Sequence, residues 1–273
     1  MNMNYNNTSL TRWAATIAGA FGIEPPAQAD GPDNRIAGLI AEKTGNKPVD
    51  RVLVYNPDAI AMWLYNKYKA AFAQVLEHTQ IEMPLASVMP PVTPVCFATM
   101  YTGVLPEIHG ITKYEKRLVT TDSLFDAAAR AGKKAAIVAV EDSSMAKIFQ
   151  NRDIDYYTLP YDNEVKEKAL LLIAEDRYDF ISVYTQEYDD VMHKKGPESE
   201  QALQAMRNQI DIFGSLAAAT QKHWRGHDSL ICFSTDHGVH PEKSGRGAHG
   251  EDIPEDINIT HFLGVTPVSR SDR

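Results

Sequence analysis

The stretch Ser229–Asp252, SLICFSTDHGVHPEKSGRGAHGED, decides the fold. Leu230-Ile231-Cys232-Phe233 is a short, unbroken apolar run closed by small polar residues and glycine, which predicts a buried strand. Asp236 and His237 stand at its C-terminal end, followed by Gly238. A turn-rich loop then returns to His249, set between Gly247 and Gly250. Carboxylate oxygen and imidazole nitrogen are good ligands for Zn²⁺, and a metal cluster gathers ligands from several loops above one sheet edge. A histidine-rich surface loop is the plain alternative. The rest of the chain has to decide between them.

Upstream of this strand, helix and strand alternate. A helix at 122–131 leads to a strand at 135–140, a helix at 163–175 to a strand at 180–184, and a helix at about 198–223 to the 229 strand. This alternation predicts an α/β fold with a mainly parallel central sheet and helices on both faces. Further back, Val52-Leu53-Val54-Tyr55 is the first clear strand, and the spacing predicts one long helix over about 59–78 after it. Residues 8–22 have helical spacing, with Leu10, Trp13, Ile17 and Phe21 on one side, Thr8 or Ser9 to cap and Gly22 to stop. A second short helix is expected at 35–43. With no repeat, no low-complexity tract and no strong boundary, residues 1–273 read as a single domain, and that length allows a substantial core.

Composition narrows the function. A formal charge of -9 argues against binding a nucleic-acid polymer. Cys96 and Cys232 each lie in an apolar segment, which fits packed, reduced thiols better than a disulfide framework. No apolar run reaches membrane-spanning length, and the N-terminal segment lacks the basic head and continuous apolar core of a signal peptide. The expectation is a cytoplasmic protein, not associated with membranes, for which a homodimer is compatible.

Three strand ends carry chemistry. Asp58 follows the first strand, where open α/β sheets place their ligands, although a helix N-cap is a common use of such a residue. Asp189 and His193 follow the 180 strand, and their spacing of four puts both on one side of a helical turn. Asp236 and His237 end the 229 strand. Separately, Thr93 precedes a short helix expected at 97–101, where its hydroxyl is either an N-cap or a nucleophile beside a bound phosphate.

Taken in order, these pieces resemble the alkaline phosphatase superfamily, and within it most closely the nucleotide pyrophosphatase/phosphodiesterase branch. Thr93, nine residues before Thr102-Gly103 and followed by Pro106-Glu107 and His109-Gly110, is similar to that branch's nucleophile segment. Asp189-x-x-x-His193-x-x-Gly196-Pro197 resembles its D-x-x-G-H-x-x-G-P, with Met192 in place of glycine. Asp236-His237-Gly238 matches D-H-G, and Gly247-x-His249-Gly250 matches G-x-H-G. The resemblance covers roughly residues 51–265. It implies two divalent metal ions, with zinc expected and manganese the alternative. Asp189, His193 and His249 would hold one ion, and Asp58, Asp236 and His237 the other. Thr93 Oγ would sit at or between them and attack phosphorus. Two such ions about 4 Å apart lower a hydroxyl's pKa and stabilise the leaving oxygen of an in-line displacement.

The sequence also departs from that pattern. Asp58 lies in Asn56-Pro57-Asp58 rather than a strand-D-G context. Where the branch often has a phosphate-holding asparagine, this chain has Tyr114 beside Lys113, a pair suited to binding substrate that favours a more highly charged monoester. The chain leaves little room for a cap domain. A segment resembling the family's usual last helix lies at the N-terminus instead, which predicts a circular permutation: the helix at 8–22 packed beside residues 257–263, with both termini close together. His109 is expected to support the nucleophile loop.

The function expected is hydrolysis of a small-molecule phosphate ester, as a nucleotide-type diester or pyrophosphate or as a monoester. Phosphonate hydrolysis and phosphoryl transfer are alternatives. Sulfatase chemistry is disfavoured, because position 93 is threonine and Phe97 stands where an arginine is expected. A catalytically silent metal-binding domain is the alternative outside enzymes.

Overall fold

The structure, a computed structural model, describes residues 4–269. Its strands are β1 (Arg51–Pro57), β2 (Ile81–Ala86), β3 (Ala135–Val140), β4 (Asp155–Leu159), β5 (Phe180–Thr185), β6 (Ser229–Phe233), β7 (His240–Pro241), β8 (Gly247–Ala248) and β9 (Asn258–Thr266). The helices are α1 (Trp13–Phe21), α2 (Arg35–Thr44), α3 (Met62–Lys67), α4 (Ala73–His78), α5 (Thr93–Thr102), α6 (Pro106–His109), α7 (Leu124–Arg130), α8 (Ser144–Ile148), α9 (Asp162–Glu175), α10 (Glu187–Lys195), α11 (Glu200–His223) and α12 (Pro254–Ile257). Among the described residues no helix is long and apolar enough to cross a membrane.

Seven strands form one sheet in the order β2-β9-β6-β1-β5-β3-β4. From β6 to β4 every pairing is parallel, and β9 runs antiparallel to both β6 and β2. Parallel strands are covered on both faces, which is why β1, β3, β5 and β6 are apolar almost throughout. Alternate residues of β1 serve opposite cores. Val52 and Val54 pack with α1, α2, α5 and α7 on one face, while Leu53 and Tyr55 pack with α9 and α11 on the other. In α11, Ala202, Met206, Ile210, Phe213 and Leu216 recur at helical spacing and are buried against the sheet.

Two edge strands escape the sequence reading. β2 contains Pro84, which is tolerated because β2 is the edge strand, laddered with β9 and bridged on its other side at Ala86 rather than at Pro84. β4 lies at the other edge, and its partly exposed residues alternate weakly. The single helix expected at 59–78 is instead α3, a 3₁₀ turn at Lys69–Phe72, and α4. Ala59 adopts a positive φ of 65°, and Ala61 makes a β-bridge to Ile259, so this chain stays extended where a helix would begin. The cap of α3 is Ala61, and Asp58 caps nothing.

The N-terminal helix packs on β9 as expected. The Trp13 ring meets His261 edge-on with centroids 4.5 Å apart. Leu10 and Ile17 share one core with Ile259 and Leu263. Asn258 donates to Asn4 O at 2.9 Å and accepts from Asn6 N at 2.8 Å. The two termini themselves lie outside the described residues, and the ends of the described chain are apart. Asn4 sits at the start of β9, and Ser269 lies past its end, bonded to Arg225 O. A nine-residue strand, roughly 30 Å long, separates them.

Candidate active site

The carboxyl ends of the parallel strands converge, and the structure brings the sequence-predicted candidates together there. Asp58 follows β1, Asp189 and His193 occupy α10 directly after β5, and Asp236 and His237 follow β6. His249 follows the small β7–β8 hairpin. Asp189, His193 and His249 offer ligand atoms within 4.8 Å of one another, and so do Asp58, Asp236 and His237. Thr93 is the first residue of α5. Val92 occupies the cap position, and the Thr93 hydroxyl makes no capping bond. Instead Oγ1 lies 3.3 Å from His237 Nε2 and 3.5 Å from Asp58 Oδ2. The two groups of three are contiguous, because the rings of His237 and His249 stack at 4.0 Å.

The histidine tautomers follow from their outer partners. Nδ1 of His193, His237 and His249 lies 3.1, 3.0 and 2.9 Å from the carbonyls of Gly247, Gly238 and Pro91. A carbonyl only accepts, so each Nδ1 carries the hydrogen and each Nε2 presents a lone pair to the site. Those lone pairs face other acceptors. His193 Nε2 is 3.1 Å from His249 Nε2 and 3.4 Å from Asp189 Oδ1, and His237 Nε2 is 3.3 Å from Asp236 Oδ2. Asp58 Oδ1, Asp189 Oδ1 and Asp236 Oδ2 are buried without a hydrogen-bond donor. Buried acceptors gathered without donors are costly unless a cation sits among them. The donor set of three carboxylates and three imidazoles fits divalent metal ions such as zinc.

The titration of the bare protein tells the same story. Burial, with Asp236 and Asp189 as like-charged neighbours, pushes the Asp58 carboxyl well above its ordinary value. Burial likewise pushes Asp236 up to about 7, against the opposing hydrogen bond from Ala59 N. Burial lowers His237 and His249 to about 4. Asp189 is raised by burial, but the neighbouring imidazoles of His193, His249 and His237 outweigh it and hold the group below the ordinary carboxylate range. The nearby Asp189 carboxylate raises His193 against the opposing effect of burial.

Several supporting residues were not anticipated. Tyr184 of β5 donates its hydroxyl to Asp58 Oδ2. Asp256 in α12 accepts from His240 Nδ1 at 2.8 Å and from Glu251 N at 2.9 Å, and its carbonyl accepts from Gly238 N at 2.7 Å. It thereby ties the loop after His237 to the loop after His249. Asp162, at the start of α9, accepts from Gln186 N and Glu187 N at 3.1 and 2.9 Å and so caps α10 from a neighbouring helix. His109 braces α5, the helix that Thr93 opens. Its Nδ1 accepts from Ile111 N, so Nε2 donates to Thr99 Oγ1 at 2.9 Å. Met192 replaces the family's glycine without disturbing α10: it is buried, and its sulfur fills the space beside Gly247, where a Cβ would lie 2.6 Å away.

Tyr114 is 62% exposed at the mouth of the site. Partial burial, then the carboxylates of Asp58, Asp189 and Asp190, raise its phenol, which places the hydroxyl within their field. Lys113 is exposed beside it.

A seven-stranded α/β sheet with two carboxylate–histidine groups and a buried threonine hydroxyl at its carboxyl edge is an alkaline-phosphatase-type architecture. Residues 57–264 match the family described as type I phosphodiesterase / nucleotide pyrophosphatase, and the chain belongs to that family. No curated protein matches the sequence. Among solved structures, murine ectonucleotide pyrophosphatase / phosphodiesterase 5 is similar at 20% identity with a TM-score of 0.56, over 71% of this chain and 59% of that one. An inactive threonine-to-alanine variant of the same murine protein in complex with AMP is similar at 19% identity and TM-score 0.55, over 71% and 59%. Phosphonoacetate hydrolase from Sinorhizobium meliloti 1021, in complex with phosphonoacetate, is similar at 18% identity and TM-score 0.52, over 72% and 59%. The chain thus spans about three fifths of the length of these relatives.

Proposed function

We propose that the protein hydrolyses small-molecule phosphate esters, with Thr93 as nucleophile and two divalent cations, zinc in the first instance, as cofactors. The observation that carries this reading is the position of Thr93 Oγ1, 3.3 Å from His237 Nε2 and 3.5 Å from Asp58 Oδ2, in a cluster where three buried carboxylate oxygens lack donors. Bound cations would supply positive charge for the phosphoryl oxygens and the leaving oxygen. Asp189, His193 and His249 would hold one, and Asp58, Asp236 and His237 the other. The family and the inactive threonine variant of a relative support the same role for a threonine.

In this reading the Thr93 oxygen attacks phosphorus in line with the leaving group, giving a phosphothreonine that water then hydrolyses. The hydroxyl must first lose its proton, and buried surroundings hold its oxygen fixed for attack. Tyr114 donates a hydrogen bond to a phosphoryl oxygen, and Lys113 adds charge that favours a monoester. The two free, buried thiols fit a reducing, cytoplasmic setting.

The test is hydrolysis of p-nitrophenyl phosphate, bis-p-nitrophenyl phosphate and the p-nitrophenyl ester of thymidine monophosphate, with metal content measured on the same sample. Turnover with about two zinc ions per chain is expected, and the preferred substrate assigns monoester or diester specificity. Absence of turnover with metal bound would leave a binding domain.

A further inference from the structure

We propose that Tyr184 is a positioning residue for the cation held by Asp58, Asp236 and His237: its hydroxyl occupies one oxygen of Asp58 and thereby presents the other to the ion. This rests on the two-cation reading above.

The backbone around this pair is fixed on both sides. β1 and β5 are paired in register with Asn56 opposite Tyr184 and Pro57 opposite Thr185. Asp58 N then donates to Thr185 O at 3.1 Å. The Tyr184 ring is fully buried and meets Phe97 of the nucleophile helix edge-on at 5.3 Å. Its hydroxyl therefore has one place to go, and Asp58 Oδ2 receives it. Asp58 Oδ1 is left without a donor, 3.6 Å from His237 Nε2.

The same oxygen explains a second feature. Thr93 Oγ1 lies 3.5 Å from Asp58 Oδ2, at the outer limit of a hydrogen bond, and 3.3 Å from His237 Nε2. With Oδ2 already accepting from Tyr184, Asp58 competes less for the Thr93 hydroxyl. Without the phenol, the carboxylate is free to turn and take that hydroxyl, which moves Oδ1 away from the ion. Groups that orient a metal ligand in this way typically contribute 10–100-fold to affinity.

The experiment titrates Zn²⁺ into metal-stripped wild-type protein and two variants, Tyr184→Phe and Tyr101→Phe. Tyr101 is a matched control. It is equally buried, and its hydroxyl bonds Ser182 Oγ at 2.7 Å and Asn56 Oδ1 at 3.2 Å without reaching Asp58. Circular dichroism and thermal midpoints establish that each variant is folded. Wild type and Tyr101→Phe are expected to bind two ions alike. Tyr184→Phe should keep the site of Asp189, His193 and His249 and bind the second ion roughly 10–100-fold more weakly. Wild-type affinity at both sites in Tyr184→Phe overturns the proposal alone, as does equal weakening in the two variants, which marks general loosening of the core. Failure of the wild type to bind zinc overturns it together with the two-cation reading.

Discussion

Thr93 and His261 show how one residue's surroundings set its job. Thr93 is buried at the head of α5, with its hydroxyl beside His237 Nε2 and Asp58 Oδ2. Thr93→Ala is therefore expected to keep two bound cations while turnover falls by at least about 10³-fold, and Thr93→Ser to retain part of it. Parallel kinetics and metal analysis check this, and retained turnover in the alanine variant would assign the nucleophile elsewhere. His261 is a core residue. Its Nε2 lies 2.6 Å from Thr235 O, Nδ1 is buried without a partner, and burial lowers the group to about 3. The unfolded chain takes up this proton near pH 6.5, whereas the folded chain refuses it until far lower pH. Stability attributable to neutral His261 is thus present above that range and is lost as pH falls, at up to about 1.4 kcal/mol per pH unit. Urea midpoints measured from pH 7 to pH 5 should fall, and less steeply in His261→Asn. The candidate ligand residues and Thr93 could be singled out in the sequence because each lies near a strand or helix end within a short motif. Tyr184, Asp162 and Asp256 were not, since each acts through a hydrogen bond to a residue distant in sequence, and β-strand periodicity does not say what a tyrosine hydroxyl will meet.

Helices and strands place these groups, and α10 is the critical one because Asp189 and His193 share its face. Its first N–H groups are satisfied by Asp162, whose carboxylate also accepts from Gln209 Nε2 at 2.7 Å. Asp162→Ala should cost about 1–2 kcal/mol, the usual range for a lost cap. It should also weaken the Asp189 and His193 site more than the other. Chemical unfolding together with zinc titration measures both effects, and an unchanged midpoint would show that solvent replaces the cap. At this scale the sequence performs well for β1, β3, β5 and β6, whose apolar runs are dictated by burial on both faces. It fails where tertiary contacts override local preference. Residues 59–61 would extend a helix on propensity alone, but Ala59 N is drawn to Asp236 Oδ1 at 3.2 Å and Ile60 N to Thr235 Oγ1 at 2.9 Å. Those two bonds tie the end of β1 to the end of β6, and the helix gives way.

At the scale of the molecule, an acidic chain of net charge -9 is proposed to bind an anionic substrate. The resolution is local: the two divalent cations proposed above would make the field positive at one sheet edge of an otherwise acidic chain. Removing them leaves buried carboxylates facing one another, so chelation should lower the thermal midpoint and zinc should restore it. At a free concentration 100 times the dissociation constant, one ion contributes about 2.7 kcal/mol. Scanning calorimetry before and after chelation reads this directly, and an unmoved midpoint would count against the two-cation site. The order of the sheet, with helices on both faces, was legible only in part, because alternation reveals parallel pairing but not where an antiparallel strand will insert. β9 is that strand, and its location has a kinetic consequence. It fills the gap between β6 and β2, so β2 waits through some 170 residues of synthesis for its partner, and Asn4 and Asn6 wait longer still for Asn258. Until β9 arrives, one edge of β6 stands open as a template for a wrong strand. The nascent chain therefore completes this side of the sheet only once β9 has been made, long after β2, and closure of the sheet is a late step in folding.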